Sequence, residues 1–176
     1  MSTSLHGRTD EGFASPAREP GIEIVIPGEP CAQGRPRFAR RGRFVVAFDP
    51  AKSRNWKATA QAHMQAAMGS APPMLGPLSV KVAATFTCPK GDHRKVPRPR
   101  RWHAKRPDAE NVVKAILDAA TGVLWLDDAQ VAHLVVVKAI GAQGEAPRVW
   151  LRVRLITEEP SVCDSLRLAI GVRGDK

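Results

Sequence analysis

The sequence predicts a single α+β domain in which two main helices pack on a mixed β-sheet. Apolar residues alternate along several short segments, as strands require, and recur every three or four residues along two others, as helices require. The elements run strand, hairpin-like segment, helix, strand, helix, strand, strand, which fits helices packed on a sheet. A chain of 176 residues, 43% of them hydrophobic, is long and apolar enough to form one such core.

The first half of the predicted domain runs from a strand to a long helix. Isoleucines alternate over residues 22–26, and a Pro-Gly pair ends that strand. A basic loop is expected over residues 29–43, followed by a short strand over residues 44–48. The pair Asp49-Pro50 then supplies an N-cap and a first helical residue, and the helix should stop near Gly69.

The second half contains the longest strand and the second helix. Four elements are predicted here: a strand over residues 78–86, a helix over 109–120, and strands over 131–139 and 149–155. A hairpin turning at residues 141–147 should join the last two strands. Residues 89–106 form a proline-rich, basic loop, and a loop of this length inside a compact domain is often functional.

Both ends of the chain are interpreted as lying outside the domain. Residues 1–20 are polar and rich in Gly, Pro and Ser, which indicates a disordered arm. The domain is assigned to residues 21–157, and residues 158–176 to a C-terminal tail with a helical turn at 166–170.

Charge indicates a polyanionic partner. The chain has 27 Lys and Arg against 17 Asp and Glu, a net charge of +10, and nucleic acid is the commonest partner for such a surplus. No apolar run approaches the roughly 20 residues that span a bilayer, so a membrane partner is disfavoured. The N-terminal residues contain no apolar segment of the kind that a secretory signal needs, so no such signal is expected. The three cysteines form no C-x-x-C pair, which fits a reducing cytoplasm.

The basic residues concentrate in two windows, residues 35–57 and 90–106, each with eight basic residues and one acid. Either window alone could be a solvated loop. Two in so short a chain favour a phosphate-binding surface. The predicted DNA-binding residues are Arg35, Arg37, Arg40, Arg41 and Arg43 in the first window, and Arg94, Lys95, Arg98, Arg100, Arg101, Lys105 and Arg106 in the second.

The second predicted helix has one narrow polar stripe. At about 100° per residue, Asn111, Lys114 and Asp118 fall on the same side, and apolar residues cover the other. An ordinary amphipathic helix with a Lys114–Asp118 pair on its wet face would account for this stripe.

Acidic residues at both ends of this helical unit suggest a metal site. Asp108 and Glu110 stand at the helix entrance, and Asp127 and Asp128 follow the turn after it. If the chain folds back, Asp108, Glu110 and Asp128 can converge, and converging carboxylates need a cation between them. Oxygen ligands favour Mg²⁺ or Mn²⁺. The alternative is N-capping by Asp108 and turn formation by the Asp127-Asp128 pair.

The same segment resembles the signature of the RusA family of crossover-junction endodeoxyribonucleases. The resemblance is carried by Pro107-Asp108-Ala109-Glu110-Asn111-Val112-Val113-Lys114, by Asp118, and by Trp125-Leu126-Asp127-Asp128-Ala129-Gln130-Val131. Upstream, Ile26-Pro27-Gly28 and Gly34-Arg35-Pro36-Arg37 are similar to phage-type members. The resemblance covers roughly residues 22–156.

This resemblance implies roles for particular residues. Asp108, Glu110 and Asp128 match the family's three acidic metal-site positions, and Lys114 matches its essential lysine. Asn111, Asp118 and Asp127 match recurrent positions that support the site. One departure is Glu110, where the family usually has Asp. The extra methylene moves the carboxylate outward, and Mg²⁺ is strict about its octahedral geometry.

The resemblance further implies a magnesium-dependent homodimer that resolves four-way DNA junctions in recombination and repair, with Mn²⁺ as a substitute metal. Alternatives remain open from the residues. The protein could bind DNA with little or no turnover because of Glu110. It could also be a nuclease that prefers other branched or replication-intermediate DNA. A third alternative is a basic RNA-binding structural protein, in which the acidic residues would have no role.

Overall fold

Seven strands and two helices form the described part of the chain, in a computed structural model that covers residues 21–35 and 37–157. In chain order they are β1 (Ile22–Pro27), β2 (Arg37–Arg41), β3 (Phe44–Phe48), α1 (Ala51–Met68), β4 (Leu78–Phe86), β5 (Arg101–Trp102), α2 (Ala109–Ala120), β6 (Val131–Ile140) and β7 (Arg148–Leu155). The interpreted arm at 1–20 and the tail at 158–176, including its turn at 166–170, lie outside the described residues, as does Pro36.

Five strands form one mixed sheet in the order β1-β7-β4-β6-β5. The central strand β4 pairs antiparallel with β7 on one side and parallel with β6 on the other. Strands β2 and β3 form a separate two-stranded hairpin. The predicted mixed-sheet α+β domain is therefore confirmed.

One face of the sheet and the two helices enclose the core. Alternating residues of β4 and β7, such as Val82 and its partner Leu151, are buried together. They pack in one cluster with Met64 of α1 and Ile116 of α2. The opposite face, where Lys81 is paired with Arg152, carries no helix within the described residues.

The predicted hairpin between the last two strands is wrong. β4 lies between β6 and β7, so residues 141–147 cross the end of the sheet instead of forming a tight turn. β6 must run parallel to β4 because the α2 crossover returns it to the same end of the sheet. Pairing partners this distant along the chain leave no mark in local periodicity.

Smaller corrections concern local boundaries. Residues 37–41 form a strand, although a loop was expected. Helix α1 begins at Ala51 with Pro50 in the N-cap position, one residue later than predicted. Asp49 is not the cap because its carboxylate is bonded to Lys57 and Gln33. None of the described helices is long and apolar enough to cross a membrane.

Candidate active site

An open cleft of about 520 Å³ lies at the N-terminus of α2 and is lined by one acid and two arginines. Its walls include Asp108, Asn111, Arg35 and Arg106. Asp108 occupies the N-cap position, but its side chain makes no capping hydrogen bond. The carboxylate is exposed and therefore available to a ligand in the cleft.

Hydrogen bonds from two other parts of the chain build this cleft. The backbone N–H of Gln33 donates to the carbonyl of Asn111 at 2.7 Å, which fixes the loop carrying Arg35 against the first turn of α2. The Lys138 ammonium, on β6, donates to the carbonyl of Lys105 at 2.7 Å and to that of Pro107. The segment that enters α2 is thus held at the C-terminal end of β6. Sequence patterns gave no signal for either contact.

Asp118 belongs to an ion-pair network with α1. The Lys57 ammonium lies 3.5 Å from the Asp118 carboxylate and is also bonded to Asp49. The hydrogen bond from Lys57 lowers the pKa of Asp49. Burial opposes the charge of Lys57, yet its two acidic partners raise its pKa overall. Asp118 therefore supports the position of α2 through Lys57, a residue that sequence reasoning missed.

Glu110 and Lys114 lie on exposed turns of α2, one helical turn apart. Lys114 also follows Asn111 by three residues, so both point to the side of the helix that borders the cleft. The anticipated Lys114–Asp118 ion pair is not found among the described residues. The interpretation of Lys114 as an ordinary surface residue of an amphipathic helix therefore lacks the ion pair on which it depended.

Asp127 and Asp128 have different positions in the turn before β6. The Asp127 carboxylate accepts from the backbone N–H of Ala129 at 2.8 Å and forms a capping box with Gln130. The Gln130 amide also donates to the carbonyls of Met74 and Gly76. Asp127 therefore has a structural role that the turn interpretation anticipated, whereas the Asp128 side chain is exposed.

One chain does not bring the three predicted metal acids together. Asp108 stands at the N-cap of α2, and Asp128 follows the turn after its C-terminus. A helix of 12 residues separates those ends by roughly 18 Å. No group of three metal-ligating side chains is present in the described part of the chain. The expected convergence is therefore not seen within one chain.

The residues at the N-terminus of α2 nevertheless fit magnesium in their chemistry. Asp108 and Asn111 line the cleft, and Glu110 lies beside them in the first turn of α2, so that carboxylate and amide oxygens are available there. Magnesium uses few protein carboxylates and completes its octahedron with water and phosphate oxygens. Two acids beside basic residues that can bind phosphate suit that requirement.

The predicted basic windows differ in how much of their charge is neutralised. In the second window, Arg100 pairs with Glu145, and both Arg101 and Arg98 pair with Asp92. Arg94, Lys95, Lys105 and Arg106 remain exposed there, as do Arg35, Arg40 and Arg43 in the first window. The side chains of Arg37 and Arg41 lie outside what the structure describes.

Glu145 anchors the connection between β6 and β7. Hydrogen bonds from Arg100 and from the backbone N–H of Ala142 lower its pKa from 4.5 to about 2. Because the folded pKa is depressed, this stabilisation is present above pH 4.5 and is lost as the pH falls towards 2. We expect Glu145→Gln to lower the free energy of unfolding by about 1 kcal/mol at neutral pH.

Urea unfolding at pH 7 and at steps below pH 4.5 measures this effect. Glu23→Gln is the matched control, since Glu23 pairs with Arg152 only at 3.8 Å, and its cost should be smaller. A Glu145→Gln deficit that stays constant down to the lowest pH would contradict the assignment.

Comparison with known proteins agrees with these features. The model of the family described as Endodeoxyribonuclease RusA matches residues 27–154. A Bacillus subtilis (strain 168) protein described as uncharacterized protein YqaN is 31% identical over 146 residues, which is 77% of this chain and 97% of that protein. The family match spans the cleft, α2 and the turn with Asp128, and it shows that the chain belongs to the RusA family of endodeoxyribonucleases.

Proposed function

We propose that the protein is a magnesium-dependent endonuclease that resolves four-way DNA junctions by two symmetric nicks. One observation carries this proposal: the uncapped Asp108 carboxylate shares an open cleft with Arg35 and Arg106. A metal ligand beside two phosphate-binding side chains is the arrangement that phosphodiester cleavage needs. We place this activity in the cytoplasm, in recombination and repair.

Residues of the chain contribute to cleavage in two ways, by binding phosphates and by neutralising charge in the transition state. Arg35 and Arg106 hold the phosphates that flank the cut, which positions the strand without reading its sequence. Lys114 neutralises the charge that builds on the phosphoryl oxygens in the transition state. Asp108, Glu110 and Asp128 are the proposed ligands of Mg²⁺, or of Mn²⁺ in its place. When bound, the metal supplies Lewis-acid activation of the phosphate and of the attacking water.

A homodimer is part of the proposal for two reasons. Two symmetric nicks call for two sites related by a two-fold axis. In addition, Asp128 lies at the far end of α2 from Asp108 within one chain. A metal that uses both carboxylates therefore needs Asp128 from a second copy.

Junction nicking with purified protein tests the proposed activity. Cleavage of a four-way junction should require Mg²⁺ and give paired nicks, while a linear duplex of the same sequence stays intact. Junction binding without nicking at any Mg²⁺ or Mn²⁺ concentration would instead indicate a DNA-binding protein without turnover. Faster cleavage of forks or flaps than of four-way junctions would mean that the proposed substrate is wrong, while the proposed cleavage chemistry would stand.

The arginines of the cleft should contribute to the salt dependence of junction binding. Each phosphate contact adds about 0.9 to the slope of log affinity against log salt. We expect Arg35→Ala with Arg106→Ala to reduce that slope by about 1.8. Arg100→Ala is the comparison variant, because Glu145 already neutralises Arg100, and it should change the slope less. Fluorescence anisotropy at several salt concentrations gives the slopes, and equal slopes for all proteins would exclude the cleft as a phosphate site.

A further inference from the structure

A cavity of about 450 Å³ adjoins the active-site cleft. Arg106 and Pro107 line both, so a group bound in this side cavity lies next to a phosphate held in the cleft. The volume falls within the range of about 300 to 1,000 Å³ that is usual for small-ligand sites. Apart from Arg106, no residue that lines the side cavity has a part in the proposed cleavage reaction. The side cavity is therefore a separate candidate site.

Hydrogen bonds fix the walls of the side cavity in the absence of a ligand. Residues 28–33 carry one wall, and the backbone N–H groups at the two ends of this segment donate to the carbonyls of Pro147 at 3.0 Å and Asn111 at 2.7 Å. His103 belongs to another wall, and its backbone N–H donates to the carbonyl of Lys138 at 3.1 Å. A site that is already formed loses little free energy to ordering when a ligand binds.

His103 and Phe86 provide flat aromatic surface in the side cavity. Their rings are stacked, with centroids 4.6 Å apart and planes 14° from parallel. Burial, followed by the charge of Lys138, lowers the pKa of His103, so this ring is uncharged at neutral pH. Its Nδ1 is buried and has no hydrogen-bond partner in the described part of the chain. An uncharged aromatic ring binds a flat heterocycle by stacking, as in proteins that hold single-stranded nucleic acid.

Glu29 places a hydrogen-bond acceptor in the same cavity. Its Oε2 accepts from the backbone N–H of Thr87 at 3.2 Å and from the Thr87 hydroxyl at 2.6 Å, which fixes the carboxylate. Among the described residues, none donates a hydrogen bond to the other oxygen, Oε1. A carboxylate repels a phosphate but accepts from an amino group, as it does from the N4 amino group of cytosine. This part of the cavity therefore suits a nucleobase better than a phosphate.

We propose that the side cavity binds one unstacked nucleobase of the DNA strand whose phosphate Arg106 holds. His103 stacks on the base, and Glu29 accepts from its exocyclic amino group, so cytosine, adenine and guanine are preferred to thymine. Lys52 and Arg106 line the cavity and are exposed, which suits them to hold the sugar–phosphate backbone at its mouth. Unstacking a base costs least where pairing or stacking is already interrupted, as at a branch point. The inference rests on the proposed function for its substrate, and it adds a base preference that phosphate contacts do not give.

Abasic substitutions in a four-way junction test whether a base is bound. The same nucleotide in both symmetry-related strands is replaced by an abasic site, one position at a time near the branch point. Fluorescence anisotropy without Mg²⁺ gives the dissociation constants, so no cleavage is needed. At one position the abasic change should weaken wild-type binding by about 10-fold or more, because stacking of one base contributes about 5- to 150-fold. His103→Ala should lose this effect, whereas His103→Phe keeps a flat ring and should retain it.

Filling the same position with each of the four bases tests Glu29. Wild type should bind the thymine junction about 10-fold more weakly than the best of the other three, because the charged acceptor then lacks its donor. Glu29→Gln should lose this preference, since its amide oxygen can still accept from Thr87 while its NH₂ group donates to O4 of thymine. Glu23→Gln is the matched control, because Glu23 is an exposed acid on β1 that does not line the cavity, and it should keep the preference.

Three results would overturn the inference: no position at which an abasic site weakens wild-type binding, an abasic effect that is unchanged in His103→Ala, or undiminished rejection of thymine by Glu29→Gln. Failure of the proposed function gives a different result, in which base-dependent binding persists but the junction is not nicked with Mg²⁺. Nicking without any base dependence would leave the proposed function standing and would exclude a base from the side cavity.

Discussion

Replacing Lys114 by methionine should lower single-turnover cleavage of a four-way junction by about 10²-fold or more at saturating Mg²⁺. Single preorganised groups that stabilise transition-state charge have effects of this size in other enzymes. Junction affinity should change little, since one cation among many basic residues is lost. Metal binding should persist as well, because lysine is not a ligand.

The surroundings of Lys114 separate this expectation from a purely structural role. Asp118, the acid once expected to pair with Lys114, is held 3.5 Å from Lys57. Lys114 is exposed, and no ion pair to it occurs among the described residues. An exposed helical ion pair would contribute only about 0.3 to 0.5 kcal/mol in any case. The Lys114→Met protein should therefore unfold at nearly the wild-type urea concentration.

Two further variants sharpen the comparison. Lys114→Arg keeps the charge but replaces a compact ammonium with a planar fork, so partial recovery of the rate is expected. Lys81→Met removes an exposed lysine from the sheet face without helices and should cleave at the wild-type rate. Equal cleavage rates for wild type, Lys114→Met and Lys114→Arg would mean that Lys114 is an ordinary solvent-exposed residue without a part in cleavage.

Local periodicity was sufficient to predict both helices and the longer strands of this fold, but not the short strands β2 and β5. The second helix was predicted at residues 109–120 and is observed as Ala109–Ala120, because a strong apolar stripe and an acidic entrance mark it. β4 was likewise predicted with its observed bounds. Both segments have a repeat that spans their full length, and such signals depend only on near neighbours.

Contacts between distant parts of the chain could not be predicted in this way. The central place of β4 between β6 and β7 depends on pairing across more than 50 residues. Asp118 was assigned a partner on its own helix, but its partner is Lys57 on α1. The acids were assigned to one site from their order along the chain, and the length of α2 keeps Asp108 from Asp128. Sequence motifs identified the candidate residues, but the topology determines which of them lie close enough to form one site.

Asp108→Asn and Asp128→Asn should each lower Mg²⁺-dependent cleavage by about 10³-fold or more while junction binding persists. A metal that activates phosphate and water supplies several kcal/mol, and each 1.4 kcal/mol is about tenfold in rate. Binding could tighten slightly, since each change removes a negative charge near phosphate. Gel-shift and single-turnover measurements on the same junction separate the two effects. A cleavage rate near that of wild type in either variant would mean that the replaced residue does not belong to the metal site.

Mixing the two inactive variants distinguishes a site within one chain from a site shared between copies. If Asp108 of one chain works with Asp128 of the other, a mixed dimer has one site with both changes and one unchanged site. Half of the dimers in an equimolar mixture are mixed, so about a quarter of all sites should be active. If each chain holds its own complete site, every site carries one change and no activity returns.

A second mixture controls for the exchange of chains between dimers and for any recovery of activity that does not come from a shared site. Asp108 and Glu110 lie on the same end of α2, so Asp108→Asn mixed with Glu110→Gln leaves no unchanged site in any dimer. That mixture should stay inactive under conditions where Asp108→Asn with Asp128→Asn recovers nicking. The recovered product should be a single nick in each junction, because a mixed dimer has only one working site and two are needed for symmetric cleavage. Recovery in both mixtures would mean that the rescue does not come from a shared site, and paired nicks from a mixed dimer would contradict the two-site arrangement.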